Sequence, residues 1–283
     1  MIDIFTKIAE LKSIGQEAVL VTVTSKEGNS PTDVGKKMIV TKDNNFFGTI
    51  GGGSIEHFAI EKSKEVLSSR KSISEKYVLF DKDVKVDSDE IKLNMACGGK
   101  ATLFYEFIGP KEYVYIFGAG HCGKEIAKLL LPMGFYVTII DNRDELLQGV
   151  KNYANQVINS PFADFFENHE VKENAFLVVS TPSHIYDYEV LDKVIEKKLK
   201  LRYFGMLCSK KKIHDYLVRI KEKYGEVNLD NFYSPIGLDI GGDSPEEVAI
   251  SVVGEILSIH YEKDSINSHM RNKVMDTDRY WRK

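Results

Sequence analysis

Between Tyr113 and Asp141 the chain runs through a strand, a glycine turn, a helix and a second strand that ends in an acid. The apolar run Tyr113-Val114-Tyr115-Ile116-Phe117 leads into Gly118-Ala119-Gly120-His121-Cys122-Gly123. A helical pattern with Ile126, Ala127, Leu129 and Leu130 follows, and the run from Tyr136 to Ile140 closes at Asp141. This is the order of a Rossmann-type βαβ unit. Gly118 permits the tight turn, Gly120 lets backbone amides approach a pyrophosphate, and Gly123 lets helix and strand pack closely. Asp141 stands where a carboxylate accepts from a ribose hydroxyl, which favours NAD over NADP, while the neighbouring Arg143 pulls the other way. The bland alternative is a Rossmann scaffold that holds no nucleotide.

This unit begins only after more than a hundred residues, so a different domain precedes it. Ile4, Ile8 and Leu11 give the first residues the period of an amphipathic helix, not of a signal peptide. Strands are predicted at 18–24, 37–41, 77–80 and 101–107, and a helix at 55–67, with a charged loop between the last two strands. Gly109-Pro110 is a natural boundary, which places domain one at 1–109. Domain two, 112–262, alternates predicted strands (113–117, 135–140, 156–158, 175–180, 201–207) with predicted helices (122–132, 187–198, 210–224, 245–260). Such alternation implies a parallel sheet covered by helices, and so an α/β fold overall. Ser244, Pro245 and Glu247 spell a capping box for the last helix. Residues 263–283 read as a polar tail.

Composition excludes several classes. The hydrophobic fraction of 43% and charged fraction of 28% are those of a soluble globular chain. A net charge of −4 gives no global attraction to nucleic acid or an anionic membrane. No apolar run approaches the ~18 residues of a membrane span. Cys97, Cys122 and Cys208 are widely spaced without a CxxC pair, which argues against a disulfide framework or a structural zinc site and for a reducing cytoplasm.

Four further constellations carry chemistry. In Gly48-Thr49-Ile50-Gly51-Gly52-Gly53-Ser54-Ile55-Glu56 three consecutive glycines precede a helix, where successive amides form an anion nest. Glu56 there serves either the helix dipole or a ligand. In Cys97-Gly98-Gly99 a thiol sits beside flexible backbone, as a soft ligand or sulfur-handling group, or else as a buried structural cysteine. Ser209-Lys210-Lys211-Lys212 sets three lysines against a helix dipole, as an anion site or a solvated patch. Thr181-Pro182-Ser183-His184 follows a strand, with Asp187 one turn beyond. His184 and Asp187 can orient each other, or Ser183 simply caps a helix. At the glycine turn the dipole is expected to lower the Cys122 thiol, although packing is the commoner role.

Taken together, these stretches resemble the XdhC/CoxI family, accessory factors for xanthine dehydrogenase and related molybdenum hydroxylases. The resemblance is carried by Gly28-Asn29-Ser30-Pro31, by residues 48–56, Cys97-Gly98-Gly99 and Phe117-Gly118-Ala119-Gly120-His121. It continues in Tyr203-Phe204-Gly205-Met206-Leu207-Cys208-Ser209-Lys210 and in Ser234-Pro235-Ile236-Gly237-Leu238-Asp239-Ile240-Gly241-Gly242 with Pro245-Glu246-Glu247. It implies an N-terminal XdhC-type domain and a C-terminal Rossmann-like domain. It also implies a chaperone that binds the molybdenum cofactor (molybdopterin), assists its sulfuration and inserts it into an apo-hydroxylase, with a cysteine desulfurase as a further partner and a homodimer as the assembly. The family's cysteine before two glycines maps onto Cys97, which would touch the cofactor's metal. The family's strand-end His and Asp map onto His184 and Asp187. Cofactor contacts are expected at Gly51, Gly52, Gly53, Glu56, Cys97, Gly98, Gly118, Gly120, Gly123, Asp141, Ser209 and Lys210. Three positions depart from the family: Thr32 stands where Arg is frequent, removing a guanidinium able to pair with phosphate, Ser54 where Cys is common, and Cys208 where Gly is common. The competing reading is an NAD(P)-dependent oxidoreductase with His184 as general acid.

Overall fold

The computed structural model describes residues 3–80, 87–93, 98–208 and 210–263, apart from the side chains of 210–212. Cys97, Ser209 and residues 264–283 of the polar tail lie outside the described residues. The chain forms two compact units, Met1–Pro110 and Lys111–Lys283.

The first unit contains α1 (Ile4–Ser13), β1 (Ala18–Gly28), β2 (Lys37–Thr41), β3 (Phe46–Thr49), α2 (Ser54–Ser69), β4 (Ile73–Leu79), β5 (Glu90–Leu93) and β6 (Gly99–Ile108). Its sheet runs β3-β2-β1-β6-β4-β5 and is antiparallel except for the β4–β5 pair. Side chains alternate across a strand, and β1 uses that alternation to bury both faces. Val19, Val21 and Val23 pack with Ile55, Ala59 and Val66 of α2, whereas Ala18 and Leu20 pack with Leu11 of α1. Strand β5 occupies part of the stretch that reads as a charged loop. It is an edge strand whose charges serve at the rim: Lys76 of β4 pairs with Asp89, and Lys100 of β6 with Glu90. Strand β4 also starts earlier than expected, at Ile73, because β6 supplies a partner from Tyr105 onward.

The second unit follows with β7 (Tyr113–Phe117), α3 (His121–Leu130), β8 (Tyr136–Asp141), α4 (Asp144–Gln148), β9 (Gln156–Asn159), α5 (Phe162–Asn168), β10 (Ala175–Val179), α6 (His184–Glu196), β11 (Leu201–Met206), α7 (Lys210–Tyr224), β12 (Phe232–Tyr233) and α8 (Pro245–His260). All its strand pairs are parallel, in the order β12-β11-β10-β7-β8-β9. Strands β8 and β9 lie on one side of β7, and β10, β11 and β12 on the other, as in the Rossmann fold. One face is covered by α3 and α8 around Ile126, Leu130, Val252 and Ile256. The other is covered by α5, α6 and α7 around Phe165, Val190 and Tyr216. The expected capping box is present: Ser244 Oγ accepts from Glu247 N–H at 3.3 Å, and Glu247 Oε2 accepts from Ser244 N–H at 3.1 Å.

Two helices escape the sequence reading, α4 and α5, because neither is long enough to show a period. Tertiary packing holds α5: Phe162, Phe165 and Phe166 are buried, and Phe166 stacks on Phe117 with ring centroids 5.1 Å apart. Helix α6 starts three residues before the predicted 187, because Ser183 caps it by accepting from Ile185 N–H. Among the described residues no helix is long and apolar enough to cross a membrane.

Candidate functional site

In the first unit the glycine motifs converge on one short segment. β1 ends at Gly28, whose ladder partner is Gly99, and the chain then passes through Asn29-Ser30-Pro31-Thr32. A Cβ on Gly99 would fall 2.9 Å from Ser30 N and 2.5 Å from Glu27 O. A Cβ on Gly51, whose φ is +132°, would fall 2.7 Å from Pro31 O and 3.1 Å from the Thr32 Cα. Only glycine permits this approach from either side. Ser30 is 6% exposed and Thr32 0%, yet neither side-chain oxygen has a hydrogen-bond partner. Each such orphan costs about 1–3 kcal/mol, so the segment is held in a state that does not satisfy its own polar groups.

The 48–53 loop is already engaged by an anion, and that anion is internal. Glu56 Oε1 accepts from Ile50 N–H and Gly52 N–H, each at 3.0 Å, and from the Thr49 hydroxyl. Thr49 Oγ1 in turn accepts from Gly51 N–H at 3.1 Å. Burial by itself raises the Glu56 pKa, but the Thr49 hydroxyl and the loop amides outweigh it and hold the carboxyl below its ordinary value. A Cβ on Gly52 or Gly53 would meet nothing within 4 Å, so the outer side of the loop is open. Gly98, next to the undescribed Cys97, abuts the Phe80 ring.

In the second unit the three glycines of the turn have three distinct surroundings. Gly118 has φ +115°, and its Cβ would lie 2.3 Å from Ser180 O. The Cβ of Gly123 would lie 1.9 Å from Gly118 O. Gly120, the residue before α3, faces open space. Strand order reverses between β7 and β10, the place at which open α/β sheets bind ligands. There Gly118 packs on the Ser180 carbonyl, and Ser180 N–H donates to Phe117 O at 2.8 Å.

Asp141 is fully buried. Its Oδ2 accepts from Ala119 N–H at 2.8 Å and Arg143 Nη2 at 2.6 Å. Its Oδ1 accepts from Arg143 Nε at 2.8 Å and Arg143 N–H at 3.1 Å. Burial raises its pKa, and the bidentate guanidinium together with the Ala119 amide more than reverses that. The carboxylate assigned to a ribose is thus already engaged on both oxygens. Cys122 does not behave as expected at a helix start: burial pushes its thiol up, and Glu246 adds to this. It fits the packing role.

His184 and Asp187 occupy different environments. Asp187 is buried and accepts from Thr181 Oγ1 at 2.5 Å and from Tyr216 OH at 3.0 Å. His184 is exposed, with its ring edge-on to Tyr188. Cys208 Sγ lies 2.9 Å from Ser234 Oγ. Lys210 opens α7, but its side chain is outside the description. Among the described residues no group of three or more His, Cys, Asp or Glu is placed to hold a metal ion.

Sequence reasoning missed Ser180, Tyr216 and Glu255. Ser180 is recoverable from the rule that ligand crevices lie at strand-order reversals. Tyr216 carries no local signal, since its partner Asp187 is 29 residues away. Glu255 is likewise silent: it accepts from Tyr203 OH at 2.6 Å and from Gly237 N–H at 3.0 Å, pinning the glycine-rich loop before α8.

These features define the class: a Rossmann unit preceded by a mostly antiparallel α/β unit, each with a glycine loop between a strand and a helix. The chain belongs to the XdhC and CoxI family. The model of that family matches residues 12–78, and that of the XdhC Rossmann domain matches residues 114–256. Over 260 residues it is 28% identical to the uncharacterized protein YqeB of Escherichia coli (strain K12), covering 91% of this chain and 46% of that one. It is 30% identical over 156 residues to a probable xanthine dehydrogenase subunit of Bacillus subtilis (strain 168), covering 55% and 45%. The chain therefore spans less than half the length of either relative. A crystal structure described as a xanthine dehydrogenase from Bacillus halodurans shares the fold, with a TM-score of 0.50 at 20% identity over 94% of this chain and 98% of that one.

Proposed function

We propose that this chain is an accessory factor for a xanthine dehydrogenase-type molybdenum hydroxylase, which binds the molybdenum cofactor as cargo, assists its sulfuration and inserts it into the apo-enzyme. The observation that carries this reading is the family match across both units, in a chain related to a probable xanthine dehydrogenase subunit. The cargo combines a phosphate-bearing tail, a flat polar ring and a soft dithiolene-bound metal. The residues present fit the polar end. In the first unit open space lies over Gly52 and Gly53, and two buried hydroxyls are without partners. Cys97 is assigned to the metal end as a soft sulfur contact, with Gly98 giving it close backbone access. Ser209 and Lys210 are assigned to an anionic group of the cargo.

On this reading 1–109 is the cofactor domain and 112–262 a Rossmann-like domain, with a cysteine desulfurase as sulfur source, a homodimer as the assembly and the cytoplasm as the compartment. The oxidoreductase alternative has less support. Both Asp141 oxygens are engaged by Ala119 and Arg143, and His184 is exposed whereas Asp187 is buried and bonded to Thr181 and Tyr216. The test is mass spectrometry of ligands retained by the native protein, followed by molybdopterin titration of the wild type and of Cys97→Ala. Retained pterin, and a loss of affinity of about tenfold or more in the variant, are the expected results. Tight NADH binding with substrate-dependent oxidation and no pterin would overturn the reading.

A further inference from the structure

We infer that residues 48–56 form a phosphate-binding loop whose resting occupant is the chain's own Glu56, with Ser30 and Thr32 as additional donors to the incoming phosphate. This rests on the proposed cargo reading and deepens it, by naming the chemical group recognised and the residues that recognise it.

Two independent observations meet here. The first is the loop itself. The amides of Ile50 and Gly52 converge on a single oxygen, Glu56 Oε1, together with the Thr49 hydroxyl. Three donors on one anionic oxygen are the arrangement that phosphate oxygens receive at glycine-rich helix starts. The donors to Glu56 Oε1 are two amides and a hydroxyl, none of them cationic, and its side chain is part-exposed. An external anion with more oxygens therefore competes directly for the same donors. The second is the pair of orphan hydroxyls. Ser30 Oγ and Thr32 Oγ1 are more than nine-tenths buried and unpartnered, and the segment that carries them abuts the Gly51 end of the loop. Hydroxyls that no protein group satisfies are donors in reserve for a ligand.

The exchange is non-covalent. The carboxylate swings off the loop amides toward solvent, and the phosphate takes its donors. Gly52 and Gly53, where an added Cβ would have no atom within 4 Å, leave the loop free to adjust. Gly51 packs on the Pro31 carbonyl and the Thr32 Cα, so adjustment of the loop moves against the backbone that carries the hydroxyls. The recognised chemistry is a phosphate group, free or esterified.

The test uses the full chain. Calorimetric titrations with inorganic phosphate, glycerol 3-phosphate and pyrophosphate are compared for the wild type, Glu56→Ala and the double variant Glu56→Ala/Thr32→Val. Removing the internal competitor should tighten inorganic phosphate by about tenfold or more, and Thr32→Val should reverse most of that gain. Tighter binding of the ester than of free phosphate assigns the loop to an esterified cargo. The reverse order assigns it to a free anion, and either supports the loop. Unchanged phosphate affinity in a cooperatively melting Glu56→Ala protein overturns it. Should that variant not fold, the wild-type ¹H–¹⁵N spectrum decides: phosphate must shift the Ile50 and Gly52 amides, and unmoved resonances at saturating phosphate overturn the proposal. Retained pterin without phosphate binding would sink the loop assignment alone. Phosphate binding without pterin would sink the cargo reading alone.

Discussion

Both units place a carboxylate on the amides of a glycine turn, and they do so to different ends. In the second unit Asp141 reaches back from the end of the next strand to Ala119 N–H, is fully buried, and is neutralised by the two-pronged Arg143. In the first unit Glu56 comes from the first turn of the helix that the loop itself opens. It is part-exposed and is balanced by amides and one hydroxyl. A buried, charge-paired acid is a structural pin, because losing its guanidinium partner would strand its charge away from water. A part-exposed acid held by dipoles alone can be exchanged. The same pairing of acid and glycine loop therefore fixes one turn and leaves the other negotiable.

The largest expected effect tests how rigid the pinned turn is. Gly123→Ala would set a Cβ 1.9 Å from Gly118 O, backbone against backbone. The helix must move off the strand, at a cost of about 4 kcal/mol or more, which is enough to unfold a marginal unit. Thermal unfolding followed by circular dichroism measures this. A variant that melts within a few degrees of the wild type would show that the turn is as compliant as the 48–53 loop, and the contrast would collapse.

Next is the acid itself. Asp141→Asn is expected to cost about 2 kcal/mol, by replacing the buried charged acceptor of Arg143 and of Ala119 N–H with a neutral amide. Its pH dependence has a definite sign. Asp141 has a folded-state pKa below its unfolded value of about 3.9, so its stabilisation is present above that value and is lost as pH falls through the folded pKa. Denaturant unfolding from pH 7 downward should show stability falling below about pH 4, and the Asn variant should show a flatter profile there. An unchanged acid limb would move the pinning role elsewhere.

Legibility in the sequence follows locality. The glycine fingerprint, its flanking strands and the Ser244 capping box are short-range patterns, and all of them stand in the structure as read. The first unit's glycine motifs are also visible in the sequence, but their meeting place is not. Gly99 reaches the Ser30–Thr32 segment through the antiparallel pairing of β1 with β6, which joins Gly28 to Gly99, and Gly51 reaches it from the other side, after β3, through the β1–β2 and β2–β3 pairings. Thr32 stands out in the sequence only as a departure from the family, a position without the phosphate-pairing arginine. In the structure it carries a buried hydroxyl with nothing to bond. Asp141 is legible as an acid at the right position, yet no one-dimensional pattern reveals that Arg143, two residues on, folds back and engages both its oxygens.

The smallest structural effect gives the sharpest functional contrast within the second turn. Gly120 has the same fingerprint status as Gly118 and Gly123, but its surroundings are empty: a Cβ there meets nothing within 4 Å, and its φ of −68° is one that any residue adopts. Packing therefore gives no reason for glycine at this position. Gly120→Ala should change stability by less than about 1 kcal/mol, the ordinary range for an N-cap glycine replaced by alanine. A small ligand approaching the α3 N-terminus, by contrast, would meet the new methyl group directly. NADH fluorescence titration and pterin retention, run on the wild type and on this variant, read that encounter. Loss of either ligand at unchanged melting temperature would mark the open side of the turn as a binding surface. If both ligands were retained in full, the open side of this turn would not be a binding surface.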